Sequence, residues 1–254
     1  MKTLGIIGCG WLGVHLANHF STDYKIYTTT TAEQKAKQLK SQNFNPTIIK
    51  FSDENSSFNS PHWEVLQELE AIIITIPFGK KMDIQKLENR FENIKNFIGN
   101  FQKSLFLMSS TSIYPDIETE ISENTLEEKK LNPNILVIEK NMRKEFPQIN
   151  ILRLGGLMGG SRQLKNYSVK DLEKPVNHIH YEDICKIVEI MLQKNIQSKI
   201  YNVVAPLHPS KLEVITGKIH TDNICPPKKS RIILSDVMTK DLKYHFLHPN
   251  PVFF

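Results

Sequence analysis

Cysteine is nearly missing from this chain: Cys9, Cys185 and Cys225 are all there is in 254 residues. An odd count at such wide spacing indicates neither a disulfide framework nor a cysteine-built zinc site. Reduced thiols fit a cytoplasmic protein. No run of about 18 apolar residues exists, so no membrane-spanning helix is expected. The apolar stretch after Met1 and Lys2 is too short for a signal peptide and runs straight into glycines. No arginine-rich run with interleaved aromatics is present, and the net charge of +5 is spread along the chain. A nucleic-acid partner is therefore not expected. The one dense basic cluster, Lys228, Lys229 and Arg231, follows two prolines and reads as a solvated loop. There is no internal repeat and no low-complexity segment. What remains is a soluble, cytoplasmic chain whose partner is a small-molecule substrate. The oligomeric state is left open.

The length suits one large α/β domain, or a main domain with a small annex. The 40% hydrophobic content suffices for a sizeable core. Thr3 to Ile7 is a short apolar run, followed by glycines and a helical stretch to about Phe20. Tyr24 to Thr28 and Pro46 to Phe51 read as strands, with a helix from Thr31 to Leu39 between them. Ala71 to Ile76 and Ser104 to Met108 are nearly continuous apolar runs, as parallel strands covered on both faces require. Between them, Ile84, Leu87, Phe91, Ile94, Phe97 and Ile98 recur at helical spacing. Asn132-Pro133 reads as a helix start, with Asn at the N-cap and Pro at the first helical position. Ile149 to Leu154 and Lys199 to Val204 read as further strands, Tyr181 to Gln193 and Pro209 to Thr216 as helices. Strands alternating with helices from the first residue imply an α/β fold with a doubly wound parallel sheet. Residues 1–154 would form the Rossmann core. Residues 155–254 would form a small C-terminal substrate-side lobe that also completes the core, in one compact unit.

Gly8, Gly10 and Gly13 form G-x-G-x-x-G between a strand and a helix, the setting in which the pattern carries meaning. Gly8 makes the tight turn, Gly10 has no Cβ to block a pyrophosphate, and Gly13 lets the helix pack close to the strand. Trp11 and Leu12 open that helix, whose N–H groups and dipole favour phosphate. The second strand ends Tyr27-Thr28-Thr29-Thr30-Thr31, with no acid to hold an adenosine ribose. The four hydroxyls of Thr28, Thr29, Thr30 and Thr31 with Lys35 and Lys37 could instead receive a 2′-phosphate, which favours NADP over NAD; the two lysines read equally as a solvated helix face. Glu33 is expected to serve a capping box with Thr30. Asp53, just past the third strand, is either an acceptor for the adenine amino group or a turn residue. Ile76-Pro77 follows the fourth strand and would pass over the middle of the cofactor.

Further motifs carry a resemblance. Ile7 to Gly13, Ser109-Ser110-Thr111-Ser112-Ile113-Tyr114, Ile151 to Gly156, Asn177-His178-Ile179-His180-Tyr181-Glu182-Asp183 and Tyr201 to Val204 come in the right order. With these the chain resembles the extended and atypical short-chain dehydrogenase/reductases, the superfamily of NAD-dependent epimerases and dehydratases, over nearly its whole length. The resemblance implies an NAD(P)-binding oxidoreductase or epimerase acting on a small hydroxylated or sugar-like metabolite. It gives Ser110 the role of the catalytic Ser/Thr that bonds the reacting substrate oxygen; the residue-level alternative is a serine that caps the strand end. Asp183 is expected to cap the following helix and His180 to be a hydrogen-bonded structural histidine. Arg153 should find an internal carboxylate or carbonyl.

One part of the resemblance is missing. None of the seven tyrosines has Lys four residues on, and aligning the helix on Glu139 places Leu131 and Ile135 where Tyr and Lys should stand. Without a neighbouring cation, roughly one part in a thousand of a phenol is ionised at neutral pH. Ordinary tyrosine-dependent hydride transfer is therefore not expected. Tyr114, four residues beyond Ser110, is the expected substitute, better as an acid than as a base. The rival reading is a non-catalytic NAD(P)-binding sensor or partner protein.

Overall fold

A computed structural model describes residues 1–53, 61–219 and 230–254. Cys225, Lys228 and Lys229 lie outside the described residues. Eleven strands and seven α-helices are described. The strands are β1 (Lys2–Ile7), β2 (Tyr24–Thr30), β3 (Asn45–Ile48), β4 (Ala71–Ile74), β5 (Ser104–Ser110), β6 (Glu120–Ile121), β7 (Asn150–Leu154), β8 (Gly156–Met158), β9 (His178–His180), β10 (Ile200–Val203) and β11 (Ile232–Ile233). The helices are α1 (Trp11–Phe20), α2 (Glu33–Ser41), α3 (Ile84–Ile98), α4 (Pro133–Glu145), α5 (Tyr181–Gln193), α6 (Lys211–Thr216) and α7 (Asp236–Leu242).

Seven strands pair in the order β10-β7-β5-β4-β1-β2-β3. The pairs β1–β2, β1–β4, β2–β3 and β4–β5 are parallel. This is the expected doubly wound α/β sheet of Rossmann type. Its strand order reverses between β1 and β4, and open sheets of this kind take ligands beyond the carboxyl ends of the strands at such a point. By contact, one compact unit gathers Met1–Ser109, Asn132–Ile151 and Asn195–Lys199, and a second gathers Ser110–Leu131, Leu152–Lys194 and Ile200–Phe254. The two are interleaved in sequence, where a single boundary after residue 154 was expected.

In the first unit the apolar runs of β1, β4 and β5 are buried throughout Leu4, Ile6, Ile7, Ile72, Ile73, Ile74, Leu105 and Phe106. Trp63 stacks on Phe97 at 5.1 Å, and it packs so close to β1 that a Cβ at Gly5 would come within 2.8 Å of its ring. The Asn132 side chain accepts from the Ile135 N–H with Pro133 in the first turn, as the sequence suggests. The start of α2 differs from expectation. Its N-cap is Ala32, and no side chain caps it. The reason is the length of β2: Thr30 is still a strand residue, paired with Ile48, so it cannot also turn the chain into the helix.

In the second unit, β8 pairs β9 and β11 pairs β6, both parallel. Asn177 fixes the edge of β11 by accepting from the Ile233 N–H (2.7 Å) and donating to the Arg231 carbonyl (2.9 Å). The α5 helix is buried on one face through Ile184, Ile187, Val188 and Met191. Its cap is not Asp183 but the His180 ring, whose Nδ1 accepts from the Glu182 N–H at 3.3 Å.

Candidate functional site

The first unit holds a cavity of about 850 Å³ at the switch point of the sheet. Its wall is built from three segments at the carboxyl ends of adjacent strands: the turn after β1, the threonines that end and follow β2 and the run from Thr75 to Pro77 after β4. The segment from Ile49 to Asp53, Ala32 and Lys35 at the start of α2, and two α3 side chains complete it.

The glycine turn explains itself residue by residue. Gly8 has φ +91°, a left-handed conformation that favours glycine, and a Cβ there would lie 2.6 Å from the Ile76 side chain. The turn is tied at three points. The Gly8 N–H donates to Thr29 Oγ1 (2.9 Å), the Cys9 N–H donates to the Thr29 carbonyl (2.9 Å), and the Thr75 hydroxyl donates to the Gly8 carbonyl. A Cβ at Gly13 would come within 2.9 Å of the Gly8 carbonyl, so α1 packs against the turn as closely as glycine allows. Gly10 is different. A Cβ there would meet nothing nearer than the Gly8 carbonyl at 4.0 Å, and the residue is exposed on the cavity wall. The fold itself does not require glycine at this position.

Of the expected cofactor residues, Gly8, Gly10, Thr29, Thr30, Lys35, Asp53, Ile76 and Pro77 line this cavity. Trp11, Leu12 and Gly13 are not on its wall. Leu12 and Gly13 are buried, and Trp11 sets its ring edge against His15 at 4.7 Å. Two threonines differ from their expected use: Thr28 is fully buried, and the Thr29 hydroxyl is committed to Gly8. Thr30 and Thr31 are the hydroxyls left on the wall beside Lys35. Lys37 does not line it. Burial pushes the Cys9 thiol up to about 11, with Lys35 opposing the shift, so this wall cysteine stays protonated.

Sequence reasoning missed Lys50, Lys86 and above all Arg90. The Arg90 guanidinium grips Asp53 with both arms, Nε to Oδ1 at 2.8 Å and Nη2 to Oδ2 at 2.9 Å, while Nη1 donates to the Pro77 carbonyl at 2.7 Å. Asp53 is thus neither a bare turn residue nor an uncommitted acceptor. Asn89 and Asn93 donate to the Asp53 and Ser52 carbonyls, both at 3.1 Å, so one face of α3 carries the whole Ser52–Asp53 wall. Both asparagines are nearly buried. Two asparagines four apart in a helix of apolar spacing are the signal that could have revealed this. Among the described lining residues Asp53 is the one acid, against Lys35, Lys50, Lys86 and Arg90. The wall therefore has a cationic excess suited to phosphate.

The second unit carries Ser110 and Tyr114. Ser110 ends β5, and its side chain accepts from the Ser112 N–H at 3.1 Å, capping the short turn Thr111–Ile113. Its hydroxyl still has a proton to give. Tyr114 is 3% exposed. Its hydroxyl donates to Asn202 Oδ1 (2.7 Å) and accepts from Arg153 Nη1 (2.9 Å). Tyr114 was expected to serve as an acid; here both hydrogen-bond roles of its hydroxyl are filled. The cation thought to be missing is present in Arg153, yet burial outweighs it and holds the phenol above its ordinary range. A hydroxyl with both roles filled inside the core is a structural one. Arg153 donates to this phenol and also acts on the Glu123 carboxylate, an acid of the kind expected for it. The Glu123 carboxylate lies close by, accepts from the Asn202 N–H at 2.6 Å and is itself pushed up by burial. Arg231 is not in a solvated loop either: it donates to the Tyr114 carbonyl at 2.7 Å.

In the first unit, Glu139 is 2% exposed and accepts from the Ser109 hydroxyl at 2.6 Å. Ile135 is buried and apolar. No lysine takes its place from one turn on, because Lys140 is exposed.

Strand order, glycine turn and switch-point cavity define a chain of the Rossmann type. No family model matches it. It is similar over 99% of its length to Protein YeeZ of Escherichia coli K12, with 24% identity across 98% of that protein. Among solved structures it shares the fold of dTDP-glucose 4,6-dehydratase from Bacillus anthracis in complex with NAD (12% identity, TM-score 0.69, covering 99% of this chain and 94% of the other). It shares it also with the yeast methylglyoxal/isovaleraldehyde reductase complexed with NADPH (14% identity, TM-score 0.70, 96% and 94%). These likenesses agree with the fold that the motifs imply. No helix among the described residues is long and apolar enough to cross a membrane.

Proposed function

We propose that this protein binds a nicotinamide dinucleotide in the switch-point cavity and acts as an oxidoreductase or epimerase on a small hydroxylated or sugar-like metabolite. The observation that carries the reading is Gly10: a glycine the fold does not need, open toward a cavity with a cationic wall. Glycine there leaves room for a pyrophosphate to approach the backbone. Gly8 and Thr29 shape the turn that holds it, and Ile76 and Pro77 bound the cavity beyond. When bound, the dinucleotide supplies a carbon that accepts or returns a hydride. The chain's own part is to bind, to orient and to move a proton.

NADP is the favoured form. No acid ends β2, and Thr30, Thr31 and Lys35 gather on that wall. A carboxylate at this place would repel a 2′-phosphate, and a lysine attracts one. Lys35→Ala should weaken NADP binding about tenfold, the value of one charge-assisted contact, and leave NAD unchanged. Side-by-side calorimetric titrations decide it. Equal losses for the two cofactors, or tighter NAD binding by the unaltered chain, would show that Lys35 does not read the phosphate.

For the chemistry, Ser110 is the residue proposed to orient the substrate oxygen, and Tyr114 is left to the core. On a substrate found by a metabolite screen with NADP, Ser110→Ala should cut turnover at least about tenfold with cofactor affinity unchanged. Tyr114→Phe should lower the unfolding free energy by about 1–3 kcal/mol, because it strips Arg153 and Asn202 of a buried partner. A large rate loss in a fully stable Tyr114→Phe variant would return the proton to that phenol. One observation favours the second reading, a cofactor-binding sensor without turnover. The phenol, guanidinium and carboxylate of the second unit's core, Tyr114, Arg153 and Glu123, are engaged with Asn202 or with one another.

A further inference from the structure

We propose that His180, Glu182 and His248, in the second unit, form a binding site for a divalent transition ion of the zinc class. One ligand atom from each of the three lies within 4.8 Å of the other two. They arrive from two places in the chain. His180 and Glu182 stand at the start of α5, and His248 comes from the segment after α7. The two imidazoles face each other with centroids 3.7 Å apart. Glu182 Oε2 is 2.6 Å from His248 Nε2 and 3.8 Å from His180 Nδ1.

Two neutral imidazole nitrogens and one carboxylate oxygen are the donor set that zinc takes when it keeps an open position for water. With ligand bonds of about 2.0–2.2 Å, tetrahedral angles place the donor atoms about 3.4 Å apart. The 3.8 Å separation must close by about 0.4 Å, the 2.6 Å hydrogen bond must open by under about 1 Å, and the His248 ring, now 3.7 Å from that of His180, must swing away so that both nitrogens meet the ion. Glu182 is able to move that far, because its side chain is 47% exposed. His180 is held in place, with its side chain 7% exposed and Tyr181 and Phe254 against its ring. Its Nδ1 would exchange the long 3.3 Å bond from the Glu182 N–H for the ion. The neighbouring Asp183 carboxylate, which accepts from the His248 N–H at 3.1 Å, adds negative charge beside the ion. Bound there, the ion would fasten the C-terminal segment to the start of α5.

The test uses the whole chain without an affinity tag, stripped by a chelator and titrated with zinc ion in a calorimeter. One equivalent should bind, and Glu182→Gln and His248→Ala should each weaken the affinity at least about tenfold while keeping the wild-type circular dichroism. Cobalt ion added to the unaltered chain should give the visible absorption of a nitrogen- and oxygen-ligated, low-coordinate site, a readout that needs no variant to fold. Absence of zinc binding, an affinity unchanged in either folded variant, or a cobalt spectrum matching the hydrated ion would each overturn the proposal.

Discussion

Gly10→Val should abolish dinucleotide binding, by at least about a hundredfold in affinity, and leave the fold standing. The expectation is sharp because the two costs separate at this residue. Gly10 has φ −80° in an extended conformation, outside the left-handed region that favours glycine. The new Cβ would meet only the Gly8 carbonyl at 4.0 Å. Valine at the N-cap of α1 is less favourable than glycine, so about 1 kcal/mol of stability could go. The pyrophosphate, by contrast, would lose the space into which the branched side chain projects. The neighbouring position makes a poor test: at Gly8 a side chain would be strained at φ +91° and would strike Ile76, so lost binding there could mean a lost turn. Calorimetry with NADP and NAD, together with a urea unfolding curve, reads both quantities. Unchanged affinity in the folded variant would move the cofactor out of this cavity.

The largest effect on stability should come from Asp183→Ala, with a loss of about 3 kcal/mol or more. Asp183 is completely buried. It accepts from the Tyr244 hydroxyl at 2.6 Å, the Leu247 N–H at 2.7 Å and the His248 N–H at 3.1 Å. Alanine would leave the Tyr244 phenol buried without this partner, at a cost of about 1–3 kcal/mol, and would take the acceptor from two part-buried backbone donors as well. Burial pushes the Asp183 carboxyl up, against the pull of these three donors. The residue therefore sits at a cost that only its partners offset. Asp183→Asn keeps an acceptor oxygen and should lose less than Asp183→Ala. Tyr244→Phe removes one of the three bonds and should lose about 1 kcal/mol. Denaturant unfolding of the three variants gives the ranking. A loss under 1 kcal/mol for Asp183→Ala would mean that the segment after α7 does not depend on this clasp.

The contrast between those two sites shows which features a sequence can disclose. The glycine turn is local: strand, turn and helix lie within Lys2–Phe20, and each glycine's task follows from covalent geometry close by. The same holds for Asn132-Pro133, whose cap and first turn involve neighbours only. Asp183 is not local. It was expected to cap the helix it begins, as an acid in a first turn does, but its partners lie more than 60 residues away. Arg90 and Asp53, 37 residues apart, meet for the same kind of reason: a helix and a loop after different strands converge at one sheet edge, and nothing in either segment announces the other. Tyr114 adds a further lesson. Its place after Ser110 suggested chemistry, but whether a phenol faces a substrate or the core depends on burial, and here Asn202 and Arg153 claim it. The capping box at Thr30 failed for a smaller reason, because β2 kept that residue for the sheet.

The claim on which the account rests is that a nicotinamide dinucleotide occupies the cavity at the switch point between β1 and β4. Hydrogen–deuterium exchange with and without saturating NADP tests it by place as well as by binding. Protection should rise at residues 8–13, 29–35, 49–53 and 75–77, the segments of the turn and the cavity wall. No change in exchange, or protection confined to segments outside these four, would contradict it.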